Sequence, residues 1–154
     1  MNLVAAAGGV LKYGYWCGQR TIIGDIPMGA SEVFDNTGAK FVIMDGAGFF
    51  DAADGDDEIL FGWAICGAFT CGTTNGDTLV PVDTSLNSIY IIPADDTVSN
   101  ALIGKVGSLI RDTNRQRFDV ATNNGDNLFV HAVDISNQLV AVSMVAAVRN
   151  ESTI

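Results

Sequence analysis

Residues 106–148 read VGSLIRDTNRQRFDVATNNGDNLFVHAVDISNQLVAVSMVAAV, and their pattern decides the fold class. Four apolar runs, 106–111, 116–121, 128–133 and 139–148, follow one another across polar connections at 112–114, 123–126 and 136–137. The Asp, Asn and Gly in those connections tolerate tight-turn backbone geometry, so the stretch predicts a four-strand meander. Within the second run Phe118 and Val120 alternate with Arg117 and Asp119, the period of two of a strand with one wet face. His131 falls mid-strand between Val130 and Ala132, on the face of Phe129 and Val133. Residues 139–148 are apolar on both alternating sets, broken only by Ser143. That predicts a strand covered twice, by a second sheet or by a partner subunit.

Upstream, residues 40–44, 59–64, 78–82 and 88–92 are further candidate strands, set off by Gly-rich or Asp-rich links. Asn-Gly-Asp triplets at 75–77 and 124–126 read as turns. The best helix candidate, 98–103 with Asp96 or Ser99 as cap, is barely two turns long. Residues 1–20 differ in character: Ala5, Ala6, Ala7, Gly8 and Gly9 precede the aromatics Tyr13, Tyr15 and Trp16. They read either as an N-terminal arm that docks its aromatics on a neighbour or as an edge segment of the chain's own sheet. The expectation is an all-β chain: a compact antiparallel β-sandwich or barrel with an extended N-terminal arm, residues 21–154 forming a single β domain.

Composition narrows the function. A chain of 154 residues, 48% of them apolar, suits one domain with one real core. Its 18 acidic residues against 8 basic ones give a net charge of −10. That field repels phosphate backbones, and the basic residues are scattered, so direct nucleic-acid binding is not expected. No apolar run approaches the roughly 18 residues that span a bilayer, so no membrane partner is expected. No basic residue precedes the apolar residues 2–11, so no secretory leader is expected. Cys17, Cys66 and Cys71 are too few and too loosely spaced for a disulfide framework and fit a reducing compartment.

The residues that carry chemistry elsewhere are isolated here. A nucleophilic Cys–His pair needs a cysteine beside His131 and a third group to orient the ring, and the sequence locates neither. Cys66 and Cys71 lack the spacing of structural zinc sites and read as small core hydrophobes. Asp51, Asp54, Asp56, Asp57 and Glu58 offer hard oxygens that suit Ca²⁺, but around Gly55 they read as a solvated loop leading into a strand. Paired carboxylates for acid–base work need rigid facing positions, and the acids fall in or next to turn-like stretches. No Gly-rich phosphate loop is present. The expectation is a binding protein and not an enzyme, with no cofactor and no metal, and with Tyr13, Tyr15 and Trp16 as its contact anchors.

The segment Ala101-Leu102-Ile103-Gly104-Lys105-Val106, followed by Phe118-Asp119-Val120 and residues 128–145, resembles tailed-bacteriophage capsid decoration, or cement, proteins. Small size, acidity and richness in Gly and Ala extend the likeness along the chain. It implies a virion protein, made in the host cytoplasm, that joins the outer surface of the DNA-filled head. Its partner would be the major capsid protein, whose neighbouring subunits it clamps, and its own state a homotrimer. The alternative is a carbohydrate-binding or adhesive β module of a head or tail fibre, in which Trp63 or the loop aspartates hold a sugar or Ca²⁺.

Overall fold

The structure is a computed structural model that describes residues 2–3, 13–55, 59–121 and 127–145. Short β-rich runs punctuated by turn residues give thirteen strands among them. A six-stranded antiparallel sheet has the order β1-β9-β13-β12-β10-β11, built from β1 (Gly14–Cys17), β9 (Ile89–Pro93), β10 (Val106–Asp112), β11 (Arg115–Asp119), β12 (Leu128–Asp134) and β13 (Leu139–Met144). A five-stranded sheet, β2-β8-β6-β4-β5, uses β2 (Ile22–Pro27), β4 (Phe41–Met44), β5 (Phe50–Ala52), β6 (Gly62–Ala64) and β8 (Leu79–Asp83). The ribbon of β3 (Val33–Phe34) and β7 (Phe69–Thr70) lies apart from both.

The main core forms where the two sheets face each other. Phe41 and Trp63 from the smaller sheet meet Tyr90, Ile92, Val140 and Val142 from the larger one. Alternation along each strand sends the neighbouring residues the other way. Val42, Ala64, Val80 and Val82 therefore pack on the far face of the smaller sheet, together with Phe34 of the ribbon. On the larger sheet the far face carries Ile91, Leu139 and Ala141, covered by Leu3, Tyr13 and Trp16. All six residues of β13 are buried. The cover predicted for both faces thus comes from within the chain, one side from the second sheet and the other from its N-terminal residues.

Both sheets curl until their ends meet. Met28, just past β2, bridges to Phe50 of β5, and Ala94, just past β9, bridges to Phe118 of β11. Gln116 ties sheet to sheet: its side-chain amide accepts from the Phe41 N–H and donates to the Phe41 carbonyl, both at 2.8 Å, while its own carbonyl accepts from Ala39 N–H. Gly38 is required at this junction, because a methyl there would lie 2.6 Å from the Gln116 carbonyl oxygen.

Several expectations need correction. The C-terminal strands are not a meander, since β12 pairs with the start of β10 while β11 takes its other side. That placement brings Gln116 and Phe118 to the junction of the two sheets, where both are buried. Asp119, assigned to a wet face, is also buried, and its carboxylate accepts from Ala121 N–H. A bulge at His131 breaks the β12–β13 register between Val130 and Ala132. One extra residue flips the alternation, so Val133 joins the main core while His131 stays beside Phe129. Residues 98–103 form only a 3₁₀ turn, Asn100–Leu102, with extended backbone at both ends and no side-chain cap from Ser99. One turn does not repay helix nucleation.

The triplet at 75–77 is a turn, with Gly76 at φ +82° and the Asn75 side-chain Oδ1 accepting from Ala30 N–H. The triplet at 124–126 lies outside the described residues. Of residues 1–20, those at 1 and 4–12 lie outside the described residues, and Gly14–Cys17 form an edge strand of the chain's own larger sheet.

Candidate functional site

The three predicted anchor aromatics do not share a surface. Tyr13 and Trp16 pack on the outer face of the larger sheet beside Leu3, which is fully buried and donates its N–H to Asp134 at 2.8 Å. Tyr15 is exposed, and its ring meets the edge of Tyr90 at 6.4 Å. The Arg20 guanidinium sits over the Tyr15 ring at 4.3 Å, a cation–π geometry. Tyr15 thus belongs to a constellation where β1, its link to β2, and the strands β8 and β9 converge.

The centre of that constellation is Asp83, the last residue of β8, whose side chain is wholly enclosed. It accepts from Tyr90 Oη at 2.5 Å, Ser88 Oγ at 2.7 Å, Thr21 N–H at 3.0 Å, Ser85 N–H at 3.1 Å and Arg20 Nε at 3.3 Å. Burial pushes its pKa up, but the Tyr90 and Ser88 hydroxyls and the Thr21 and Ser85 amides outweigh it and hold the carboxyl below its usual range. Burial, followed by the hydrogen bond and charge of Asp83, raises Tyr90 well above an ordinary phenol. Ser85 Oγ donates to the Gln19 carbonyl. Gly18, at φ +99°, passes so close to the Asn87 carbonyl oxygen that any Cβ would overlap it. Residues 18–21 are therefore locked in place, and with them the edge strands on either side.

Downstream of this lock, β2 is exposed from Ile22 to Asp25. Ile22 and Ile23 are 54% and 44% exposed, and Leu79 of the adjoining β8 is 54% exposed. Sequence reading missed both β2 and Asp83. Asp83-Thr84-Ser85 does carry the local signal of an Asx turn, but nothing local shows that residues 20, 21, 88 and 90 share the same carboxylate.

His131 Nε2 lies 2.8 Å from Ser143 Oγ, a nucleophile–base distance. Among the described residues no acceptor orients the other ring nitrogen, whose ring instead meets Phe129 edge-on at 4.8 Å. Ser143 stands in the β12–β13 ladder, and a ladder spreads its N–H groups along the strand instead of converging them on one oxyanion. Burial lowers the His131 pKa, which favours the neutral ring. The arrangement acts as a satisfied polar pair.

Asp51, read as part of a loop, belongs to β5, and Asp54 pairs with Arg111 at 2.7 Å. Residues 56–58 lie outside the described residues. Burial raises the pKa of both Glu32 and Asp51, with repulsion from Asp54 added in each case. Among the described residues no group of three or more His, Cys, Asp or Glu is placed to hold a metal ion. Cys71 is buried in the core of the smaller sheet with half-buried Cys66 against it. Burial pushes the Cys66 thiol up to about 11, although Lys40 pulls the other way. Trp63 is only 5% exposed and stacks on Tyr90, so it offers no platform for a sugar. No model of a known protein family matches the chain, no curated protein matches its sequence, and no solved structure matches its fold.

Proposed function

We propose that the chain is a non-enzymatic capsid decoration protein of a tailed bacteriophage, which sits on the outer surface of the head as a homotrimer and clamps neighbouring major capsid subunits. The observation that carries this reading is a cross-tied β body that turns large aliphatic side chains outward. Ile22, Leu79 and Met44, on three strands of the smaller sheet, are each 54% exposed. Exposed aliphatics on a structured sheet suit contact with another protein. Each such contact is multiplied by valency when many copies sit on one shell. The residues that carry the family resemblance support the same reading, since most of them lie in β10 to β13, four adjacent strands of the larger sheet.

Two measurements test it. Light scattering of the purified protein is expected to give a trimer whose mass does not change with EDTA. Co-sedimentation with expanded heads built from the major capsid protein of the same genome is expected to show saturable binding. A monomer that leaves heads bare would overturn the proposal. An oligomer that dissociates in EDTA would favour a Ca²⁺-dependent binding module instead.

A further inference from the structure

Among the described residues the outer sides of β5 and β11 are covered, whereas β1 and β2 pair on one side only. The end of β5 is closed by residues 28 and 29, with Gly29 donating to the Phe50 carbonyl at 2.8 Å. Ala52 N–H is taken by the Glu32 carboxylate. The outer side of β11 is closed by Ala39 and Ala94. Residues 22–25 of β2, by contrast, pair only with β8 among the described residues. Folded proteins blunt open edges with charges, Pro, bulges or a covering segment; here a bulge and Asp25 interrupt the edge, yet Ile22 and Ile23 stay exposed on it. Its position is not loose, because the Thr21 N–H and Arg20 just before it are held by Asp83.

The edge also carries a charge that selects its occupant. A bulge between Ile23 and Ile26 sets Asp25 at φ +57°, and a bulge re-aims the side chain it carries. Among the described residues no cation pairs with Asp25, and the whole chain carries −10. A second copy would bring a second Asp25 and a further −10 to the same edge. A strand with alternating apolar and basic residues instead meets the open backbone groups, the two isoleucines and the carboxylate together.

We propose that the open edge at residues 22–25 receives an extended basic segment of a partner protein as an added strand. This deepens the assembly role by naming its docking edge. The full chain is titrated with a blocked seven-residue peptide of alternating Lys and Ile, followed by calorimetry and by amide exchange at residues 22–25. Binding is expected to slow exchange there, to weaken with salt and to fail for the same peptide N-methylated on alternate residues. The charge-neutral pair Ile22→Thr and Ile23→Thr is expected to weaken it by about tenfold or more, and Asp25→Asn by about threefold at low salt only.

Equal binding of the N-methylated peptide, or no effect of the two threonines, would reduce the interaction to adhesion on an acidic surface and overturn the proposal. Dimerisation of the free protein that the threonines abolish would assign the edge to a second copy, which also overturns it. Head binding retained by the Ile22→Thr, Ile23→Thr variant removes the edge but leaves the capsid role. Heads left bare by the unaltered protein remove the capsid role, while the peptide result still decides the edge.

Discussion

Trp63 and Tyr90 lie ring on ring, their centroids 4.5 Å apart and their planes within 5°, although Trp63 belongs to the five-stranded sheet and Tyr90 to the six-stranded one. Phe41 meets both edge-on, at 4.9 Å and 5.6 Å. This trio, with the Tyr90 hydroxyl on Asp83, joins the sheets through contacts that act as one unit. Trp63→Ala is expected to cost about 3–5 kcal/mol through the cavity it leaves. Tyr90→Phe keeps the stack but removes a donor from a buried carboxylate, at a cost of about 1–3 kcal/mol. Urea unfolding of the single and double variants checks both values, and the double variant is expected to fall short of additivity.

Acid should act on the molecule in two opposite senses. Asp83 is held below the usual carboxylate range, so its contribution is complete above the ordinary value of about 3.9 and is lost as pH falls through its depressed value. Glu32 and Asp51 are raised, so the folded chain takes up their protons more readily, and stability increases as pH falls through their folded values. The urea midpoint is expected to rise slightly between neutral and mildly acidic pH and to drop below about pH 4. In Asp83→Asn the midpoint should start lower and its drop in acid should be shallower. An unchanged acid slope would show that Asp83 is not the group responsible.

Gln116 offers a sharper reading of the inter-sheet tie. Gln116→Ala removes the Gln116 acceptor from the Phe41 N–H, while the Phe41 carbonyl keeps the Ala53 N–H, for about 1–3 kcal/mol at most. Gln116→Glu keeps an acceptor for the N–H but sets a buried carboxylate against the Phe41 carbonyl. Its pKa should therefore rise in the folded state, and stability should return as pH falls and the protonated acid donates to that carbonyl. Thermal unfolding of both variants at neutral and acidic pH is the check: only the glutamate variant should gain on acidification.

The thiols should divide by environment. Cys66, raised to about 11, and Cys71, buried in the same cluster, are expected to resist a thiol reagent at neutral pH in the folded protein. Half-buried Cys17 on the edge strand β1 should react first, and all three should react together after denaturation. Mass spectrometry of the alkylated protein over time distinguishes them. Early labelling of Cys71 would contradict its place in the core.

Legibility in the sequence followed how local each interaction is. The long strands β10, β12 and β13 were visible because seven- and six-residue apolar or alternating runs exceed what a turn can imitate. The ribbon strands β3 and β7 have two residues each and β5 has three, too few for a period. β2 was passed over because its exposed isoleucines interrupt any two-faced pattern. The bulge at His131 leaves no mark in composition, yet it moved Val133 from one face to the other.

The sequence by itself determined that the chain is all β, that its C-terminal strand must be covered twice, and that it carries a net charge of −10. Those follow from side-chain period, turn chemistry and net charge, which are properties of neighbours along the chain. Only the tertiary structure decided that Leu3 and Trp16 provide one of the two covers. It also decided that Asp83 gathers partners from residues 20, 21, 85, 88 and 90, and that β2 keeps an open edge while those of β5 and β11 are covered. Each of these depends on backbone groups meeting across long sequence separations. A hydrogen bond between Gln116 and Phe41, 75 residues apart, has no signature in either residue until the two sheets are brought face to face.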